Sequence, residues 1–277
     1  MDRIRLIASD MDATLLDEQS QLPADFEETI HALAELGIRF APASGRPLYT
    51  LEAMFPTLQD ELVFIGDNGG AIRWKGQNLF TSEMSPEGWR ALNRLTREQG
   101  DIAVLCGLES AYVERPFAVH DAVLRHFYTK IEYVDRLEDV TAPADKFTIY
   151  LPQHNAQQAY DTVYASQRSI YSVAVAGECW VDIMNPGVHK GAALQTLGQL
   201  WGLPSESIMA FGDTYNDAEM LCTAKYGFLM ENGSVPLRRK VPFLAPSHRE
   251  AGVMQVLHRV LAQNGCVCPA DFTPAHE

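Results

Sequence analysis

The sequence predicts an α/β protein: a Rossmann-like core with a parallel sheet, interrupted by an inserted α+β cap domain. Three observations predict it. Apolar runs of strand length alternate with helical stretches toward both ends of the chain, as parallel strands joined by crossover helices require. From about Met84 to Pro186 the strand runs instead follow one another across short turns such as Gly177-Glu178, which reads as an antiparallel sheet with helices on one side. After Gly187 the first pattern resumes, so residues 1–83 and 187–277 read as one core domain and 84–186 as the insert.

The core opens with a predicted strand over Ile4–Ser9 that delivers Asp10-Met11-Asp12 at its C-terminal end. Phe26, Ile30, Leu33 and Leu36 then recur at helical spacing, which predicts a helix over Pro23–Leu36 with Gly37 placed to stop it. A second strand over Ile38–Ala43 runs into Ser44-Gly45-Arg46, Pro47 opens a helix through Phe55, and Leu62–Ile65 is a third strand. In the insert, helices are predicted over Pro86–Gln99, Ala118–Tyr128 and near Ala156–Ala165. Its strands are predicted over Ile102–Leu105, Ala111–Val113, Phe147–Leu151, Ile170–Val175 and Cys179–Met184. The core returns with a helix over Lys190–Trp201, a strand over Ile208–Phe211, a helix over Asn216–Ala224, a strand over Phe228–Met230 and a last helix from about Glu250 to Ala262. The residues beyond Gly265 read as a loose tail.

Composition narrows the function. With 47% hydrophobic and 21% charged residues the chain has the balance of a soluble globular protein. The net charge of −14, from 36 acids against 22 bases, argues against nucleic acid and against an anionic membrane face as partners. No apolar stretch reaches the ~20 residues of a membrane span, and the start lacks the apolar segment of a secretory signal, so a cytoplasmic protein is expected. Five scattered cysteines in a chain of this size give no disulfide framework, and Cys266 and Cys268, with no histidine in ligand spacing, read as a chance pair. An acidic protein can still bind a small anion where cations are focused locally.

Four polar clusters fall where a strand ends or a helix begins: Asp10-Met11-Asp12, Ser44-Gly45-Arg46, His189-Lys190-Gly191, and Gly212-Asp213 through Asn216-Asp217. In a parallel sheet such ends share one rim, so groups distant in sequence converge. Singly, each has a plain explanation as a turn, a cap or a solvated surface. Lys190 is the exception in sign, since a cation at a helix start opposes the helix dipole. Together, several acids with a lysine, a serine and an asparagine form an inventory suited to holding Mg²⁺ and a phosphate at once, because magnesium prefers a few carboxylates plus substrate oxygens.

Ala8-Ser9-Asp10-Met11-Asp12-Ala13-Thr14-Leu15-Leu16 resembles the first motif of the haloacid dehalogenase superfamily of phosphohydrolases, usually Asp-x-Asp-Gly-Thr. Ser44-Gly45-Arg46 resembles its second motif, Lys190-Gly191 its third, and Gly212-Asp213 through Asn216-Asp217 its fourth. The insert between the second and third motifs is similar to the large α/β cap of the Cof-like branch, and Asn68-Gly69 fits that branch too. Ala13 departs from the pattern by replacing the usual glycine.

The resemblance implies a Mg²⁺-dependent phosphatase of small phosphorylated metabolites, such as sugar phosphates or phosphorylated cofactors. Asp10 would attack phosphorus to form an aspartyl-phosphate, and Asp12 would protonate the leaving alcohol and then activate water. Ser44, the Gly45 amide, Lys190 and Asn216 would surround the phosphate. Asp10, Asp213 and the Asp12 carbonyl would hold the metal, with Asp217 either supporting these ligands from behind or reaching the metal through water. Arg46 either pairs with a nearby acid or reaches the substrate. Asp182 and Asn185, just before the return to the core, would read substrate hydroxyls, while Trp89, Tyr112 and Trp180 read as core of the insert. His189 carries no implied role. A phosphosugar mutase of the same fold is an alternative reading, and a catalytically silent phosphometabolite-binding regulator is another. The specific substrate and the oligomeric state stay open.

Overall fold

A computed structural model describes residues 1–276 and contains two large sheets. Five strands, Leu6–Asp10, Arg39–Ala43, Val63–Gly66, Ile208–Gly212 and Tyr226–Met230, lie parallel at its centre, and Phe243–Ala245 extends them in parallel on one side. Every residue of Leu6–Asp10 is buried, because helices cover both faces of the sheet. Side-chain alternation splits the strands between two cores. Ile7, Phe40, Phe64 and Phe211 face the helices Phe26–Glu35 and Gly252–Ala262. Leu6, Ala41, Ile65 and Ala210 face the helices Lys190–Trp201 and Ala218–Thr223.

The sheet is wider than the sequence pattern implies. Val63–Gly66 continues into an antiparallel hairpin, Ala71–Trp74 with Gln77–Thr81, turned by Lys75 and Gly76, both with positive φ. Two left-handed residues in a two-residue loop match the right-handed twist of the strands they join. The expected helix over Pro23–Leu36 is shorter, Phe26–Glu35. The expected loose tail is a correction: Cys266–Val267 pairs with Asp2–Arg3, Thr273–Pro274 pairs with Phe243–Ala245, and Val267 and Phe272 are buried. These two apolar side chains anchor a segment whose polar composition gave no periodicity to read.

The second sheet takes its strands from residues 102–184, in the spatial order Ser172–Ala176, Trp180–Met184, Ala144–Tyr150, Ile102–Gly107, Ala111–Glu114, Ile131–Val134. All neighbours are antiparallel except the last pair, which is parallel. One face packs on the helices Pro86–Gln99 and Ala156–Asp161 through Trp89, Leu92 and Ala159. The expectation of helices on one side only needs correction, since Asp121–Phe127 packs Leu124 against the opposite face with Val104, Tyr150 and Trp180. That opposite face carries Lys146 and Thr148, two residues apart on one strand, with Asp182 directly across from Thr148.

Candidate active site

Three parallel strands end on one rim of the core. Asp10 is the last residue of Leu6–Asp10, Ser44 follows Arg39–Ala43, and Asp213 follows Ile208–Gly212. Lys190 opens the helix Lys190–Trp201 behind them, where the side chain of His189 accepts the Ala192 amide at 3.1 Å and caps the helix. His189, given no role by the sequence, thus fixes the start of the helix that carries the lysine.

The Lys190 ammonium is fully buried and donates to Asp10 Oδ1 at 2.5 Å and to Asp217 Oδ1 at 2.7 Å. Burial alone would depress its pKa, but the two carboxylates outweigh burial and hold it above the ordinary lysine value. The other oxygen of Asp217 accepts the Asp213 and Thr214 amides at 3.0 and 3.2 Å. Asp217 therefore closes the turn after the strand and anchors the lysine. Gly212 permits this turn: a Cβ there would lie 2.4 Å from the Cβ of Asp217.

Asp10, Asp213 and Asp217 each offer a carboxylate oxygen within 4.8 Å of the others. Burial, then repulsion from Asp217, raises Asp10 to about 7 despite Lys190. The same two causes raise Asp213 to about 6. One lysine does not neutralise three crowded acids, so the protein alone leaves this rim with surplus negative charge. Hard carboxylate oxygens converging on such a rim fit a small divalent cation of the Mg²⁺ type, which would relieve that repulsion.

Asp12 points outward, with 59% of its side chain exposed, and is gripped by both terminal nitrogens of Arg46, one of them 3.0 Å from Oδ1. Of the two uses the sequence left open for Arg46, the structure shows pairing with an acid. Ala13 has φ +56° and ψ 15°, the left-handed conformation in which glycine is free of strain. Ser44 is buried, and its Oγ accepts the Arg46 amide at 3.1 Å, which leaves the hydroxyl hydrogen free to donate elsewhere. Asn216 borders the cleft and accepts the Thr214 hydroxyl at 2.6 Å.

Asp10, Asp12, Ser44, Arg46, Asp213 and Asn216 form the floor of a cleft of about 740 Å³ between the two sheets, with Lys190 and Asp217 buried behind it. Its far wall comes from the second sheet and includes Phe127, Tyr128, Lys146, Thr148, Trp180 and Asp182. Asp182 lies in the cleft as expected, but its oxygens already accept Thr148 Oγ1 at 2.7 Å and Asn68 Nδ2 at 3.0 Å. Asn185 lies elsewhere: its amide donates to Ser82 and to the Glu83 carbonyl, joining the two chain segments that connect the sheets. Trp180 is core, as expected, and also borders the cleft. The sequence gave no notice of Lys146 or Thr148. Their only signal was two polar side chains at period two in a strand that also carries Asp145.

Known proteins place this geometry in context. The family model described as haloacid dehalogenase-like hydrolase matches residues 7–257. The chain is 32% identical over 262 residues to the 5-amino-6-(5-phospho-D-ribitylamino)uracil phosphatase of Escherichia coli (strain K12), covering 93% of this chain and 96% of that protein. It is 31% identical over 249 residues to the HMP-PP phosphatase of Cronobacter sakazakii, covering 87% and 89%. Among solved structures, a Streptococcus mutans UA159 protein superposes with a TM-score of 0.84 at 29% identity, over 94% of this chain and 99% of the other. A HAD/COF-like hydrolase from Plasmodium vivax shares the fold, with a TM-score of 0.84 at 18% identity over 95% and 97%. With its acids, serine and lysine gathered on one rim and its relatives phosphatases, the chain belongs to the haloacid dehalogenase-like hydrolases, as a phosphatase.

Proposed function

We propose that this phosphatase is Mg²⁺-dependent and hydrolyses small phosphorylated metabolites through a phosphate ester of Asp10. The observation that carries this reading is the convergence of Asp10 and Asp213 at strand ends with Lys190 at a helix start, and a surplus of buried negative charge. Asp10, Asp213 and the main-chain carbonyl of Asp12 would hold the cation, with Asp217 reaching it through water. Bound there, it would supply positive charge to draw the phosphate onto an acidic rim and to offset charge developing on its oxygens.

Asp10 then attacks phosphorus as the bond to the leaving oxygen breaks, and that oxygen takes the proton of Asp12. Water next gives its proton to Asp12 and attacks the same phosphorus, releasing inorganic phosphate and restoring Asp10. Asp12 suits this shuttle because it is exposed to the cleft and only tethered, by Arg46. Lys190, the Ser44 hydroxyl, the Gly45 amide and Asn216 would hold the phosphate oxygens.

Residues 84–186 act in this reading as a cap over the rim, and the cleft wall they supply sets the choice of leaving group. The substrate class is sugar phosphates or phosphorylated cofactors. The named substrate of the Escherichia coli relative joins a uracil ring to a phosphorylated ribityl arm. Phe127, Tyr128 and Trp180 offer an aromatic wall on which such a ring would rest. Asp182 and Asn185 belong to the same proposal, Asp182 by shaping the wall and Asn185 by setting the hinge. Five free cysteines, none in a disulfide, support a cytoplasmic setting.

The test is phosphate release by the purified chain from a panel of phosphorylated metabolites, with and without Mg²⁺, alongside Asp10→Asn. Metal-dependent release that the variant abolishes is expected. Equal turnover by the variant, or full turnover in excess chelator, overturns the reading.

A further inference from the structure

We propose that Lys146 is a positioning residue for phosphoryl transfer: from the second sheet it grips the carbonyl of Gly45 and thereby aims the Ser44 hydroxyl at the phosphate. The inference rests on the phosphatase reading above. Lys146 is 2% exposed, and a buried ammonium costs several kcal/mol unless it is paired. Its partners come from both sheets. It donates to Gly45 O at 2.6 Å, and it pairs with Asp67 of the core at 3.0 Å and with Asp182 of its own sheet at 3.6 Å. Burial pulls its pKa down, and Asp182 and Asp67 more than reverse that, so the group facing Gly45 is a cation.

The Gly45 carbonyl and the Arg46 amide are two ends of one peptide plane. Lys146 holds one end and polarises it, while the other end donates to Ser44 Oγ at 3.1 Å. A polarised peptide is a stronger donor, so the charge of Lys146 reaches the serine oxygen through a single amide. With its oxygen held from behind, Ser44 presents its hydrogen to the cleft. The core braces the same turn, since the Asp67 amide donates to Arg46 O and the Asn68 amide to Ser44 O, both at 2.9 Å. Asp67 and Asn68 have φ of +50° and +55°, a conformation that costs non-glycine residues about 1–2 kcal/mol each and is held by these contacts. The phosphate-binding turn is therefore complete only when the second sheet lies against the core.

Asp145 adds to the join. It is fully buried, and burial followed by the charge of Asp67 raises its pKa well above the usual carboxylate value. Burial raises Asp67 as well, and the charge of Lys146 opposes that rise.

The experiment measures steady-state hydrolysis of 4-nitrophenyl phosphate, a small substrate with little to touch on the far wall, for the full-length wild type, Lys146→Met, Lys146→Gln and Lys146→Arg, with thermal unfolding in parallel. Lys146→Met should lose kcat by roughly 10-fold to 100-fold, the scale of a misplaced catalytic group, with KM changed far less. Lys146→Arg should recover part of that loss. In a double-mutant cycle with Ser44→Ala, the loss from Lys146→Met should largely vanish, because without the Ser44 hydroxyl there is no donor left for Lys146 to aim. Lys146→Gln, which keeps a neutral donor in a similar volume, gives the reading if the methionine variant does not fold. Wild-type kcat in a folded variant, or losses that simply add in the cycle, overturns the positioning role. Absence of hydrolysis by the wild type would instead overturn the phosphatase reading.

Discussion

At the scale of single residues, the site depends on charge as much as on shape. Asp10→Asn keeps the shape but removes the negative charge of the proposed nucleophile, and it leaves Lys190 paired with Asp217. Turnover should fall by at least about 10³-fold while the fold persists, because one buried repulsion is also removed. Phosphate-release kinetics with circular dichroism check both halves. Arg46→Ala frees Asp12 from its tether, so hydrolysis of alkyl phosphates, whose leaving oxygen needs a proton, should drop more than that of an activated aryl phosphate. Equal loss on both substrates would show that Arg46 serves phosphate binding instead. The motif residues were legible in sequence because their chemistry is local: acids at strand ends and a lysine at a helix start. Lys146 and Thr148 were not, because their meaning lies in contacts 101 and 34 positions away along the chain, and Asn185 was singled out for a different role from the contact it makes 103 positions away. Ala13 lies between these cases. The missing glycine was visible, but only the structure shows the positive φ that makes it matter.

At the scale of elements, the lysine is only as well placed as its helix. Gly191 is the second residue of Lys190–Trp201, and a Cβ there would sit 2.6 Å from the main-chain carbon of Glu219 in the neighbouring helix. Backbone cannot yield as a flexible side chain can, so Gly191→Ala should push the two helices apart and destabilise the protein by about 1–3 kcal/mol. It should also displace Lys190 from Asp10, with a loss of activity beyond the unfolded fraction. Urea melts and activity at a temperature where the variant is fully folded separate the two effects. The closing segment makes a second case. Phe272 packs edge-on against Tyr226 and Phe228, so its removal uncovers the face of the main sheet at that strand. The parallel strands and their helices could be read from periodicity, since each buries a regular stripe. The hairpin after Val63–Gly66 and the closing strands could not, because short edge elements are specified by turns and by what they cover.

At the scale of the whole molecule, a protein of net charge −14 concentrates buried acids where it must receive an anion, which ties stability, metal and pH together. Asp10 titrates near 7 and Asp213 near 6 in the folded metal-free protein, against about 4 in the unfolded chain. Both values are raised, so between about pH 4 and 7 the folded state holds protons that the unfolded state has released. Their contribution to stability therefore falls as pH rises through that window. A divalent cation competes for the same oxygens, so its binding must displace those protons and weakens on acidification. Added Mg²⁺ should accordingly raise the melting temperature by several degrees at pH 8 and by little at pH 5.5, following the mass-action stabilisation expected of a ligand that binds only the folded state. Other acids of the protein are shifted too, Asp67 and Asp145 upward and Asp2 and Asp121 downward, so the pH dependence of the melting temperature alone mixes several sites. The difference with and without Mg²⁺ isolates this one, and Asp213→Asn completes the control. The variant removes one ligand and one raised pKa together, so the metal-free protein should be at least as stable as wild type at pH 8, while the Mg²⁺ shift should nearly disappear. A Mg²⁺ shift of equal size at both pH values, or one that survives Asp213→Asn unchanged, would place the cation elsewhere on this acidic surface.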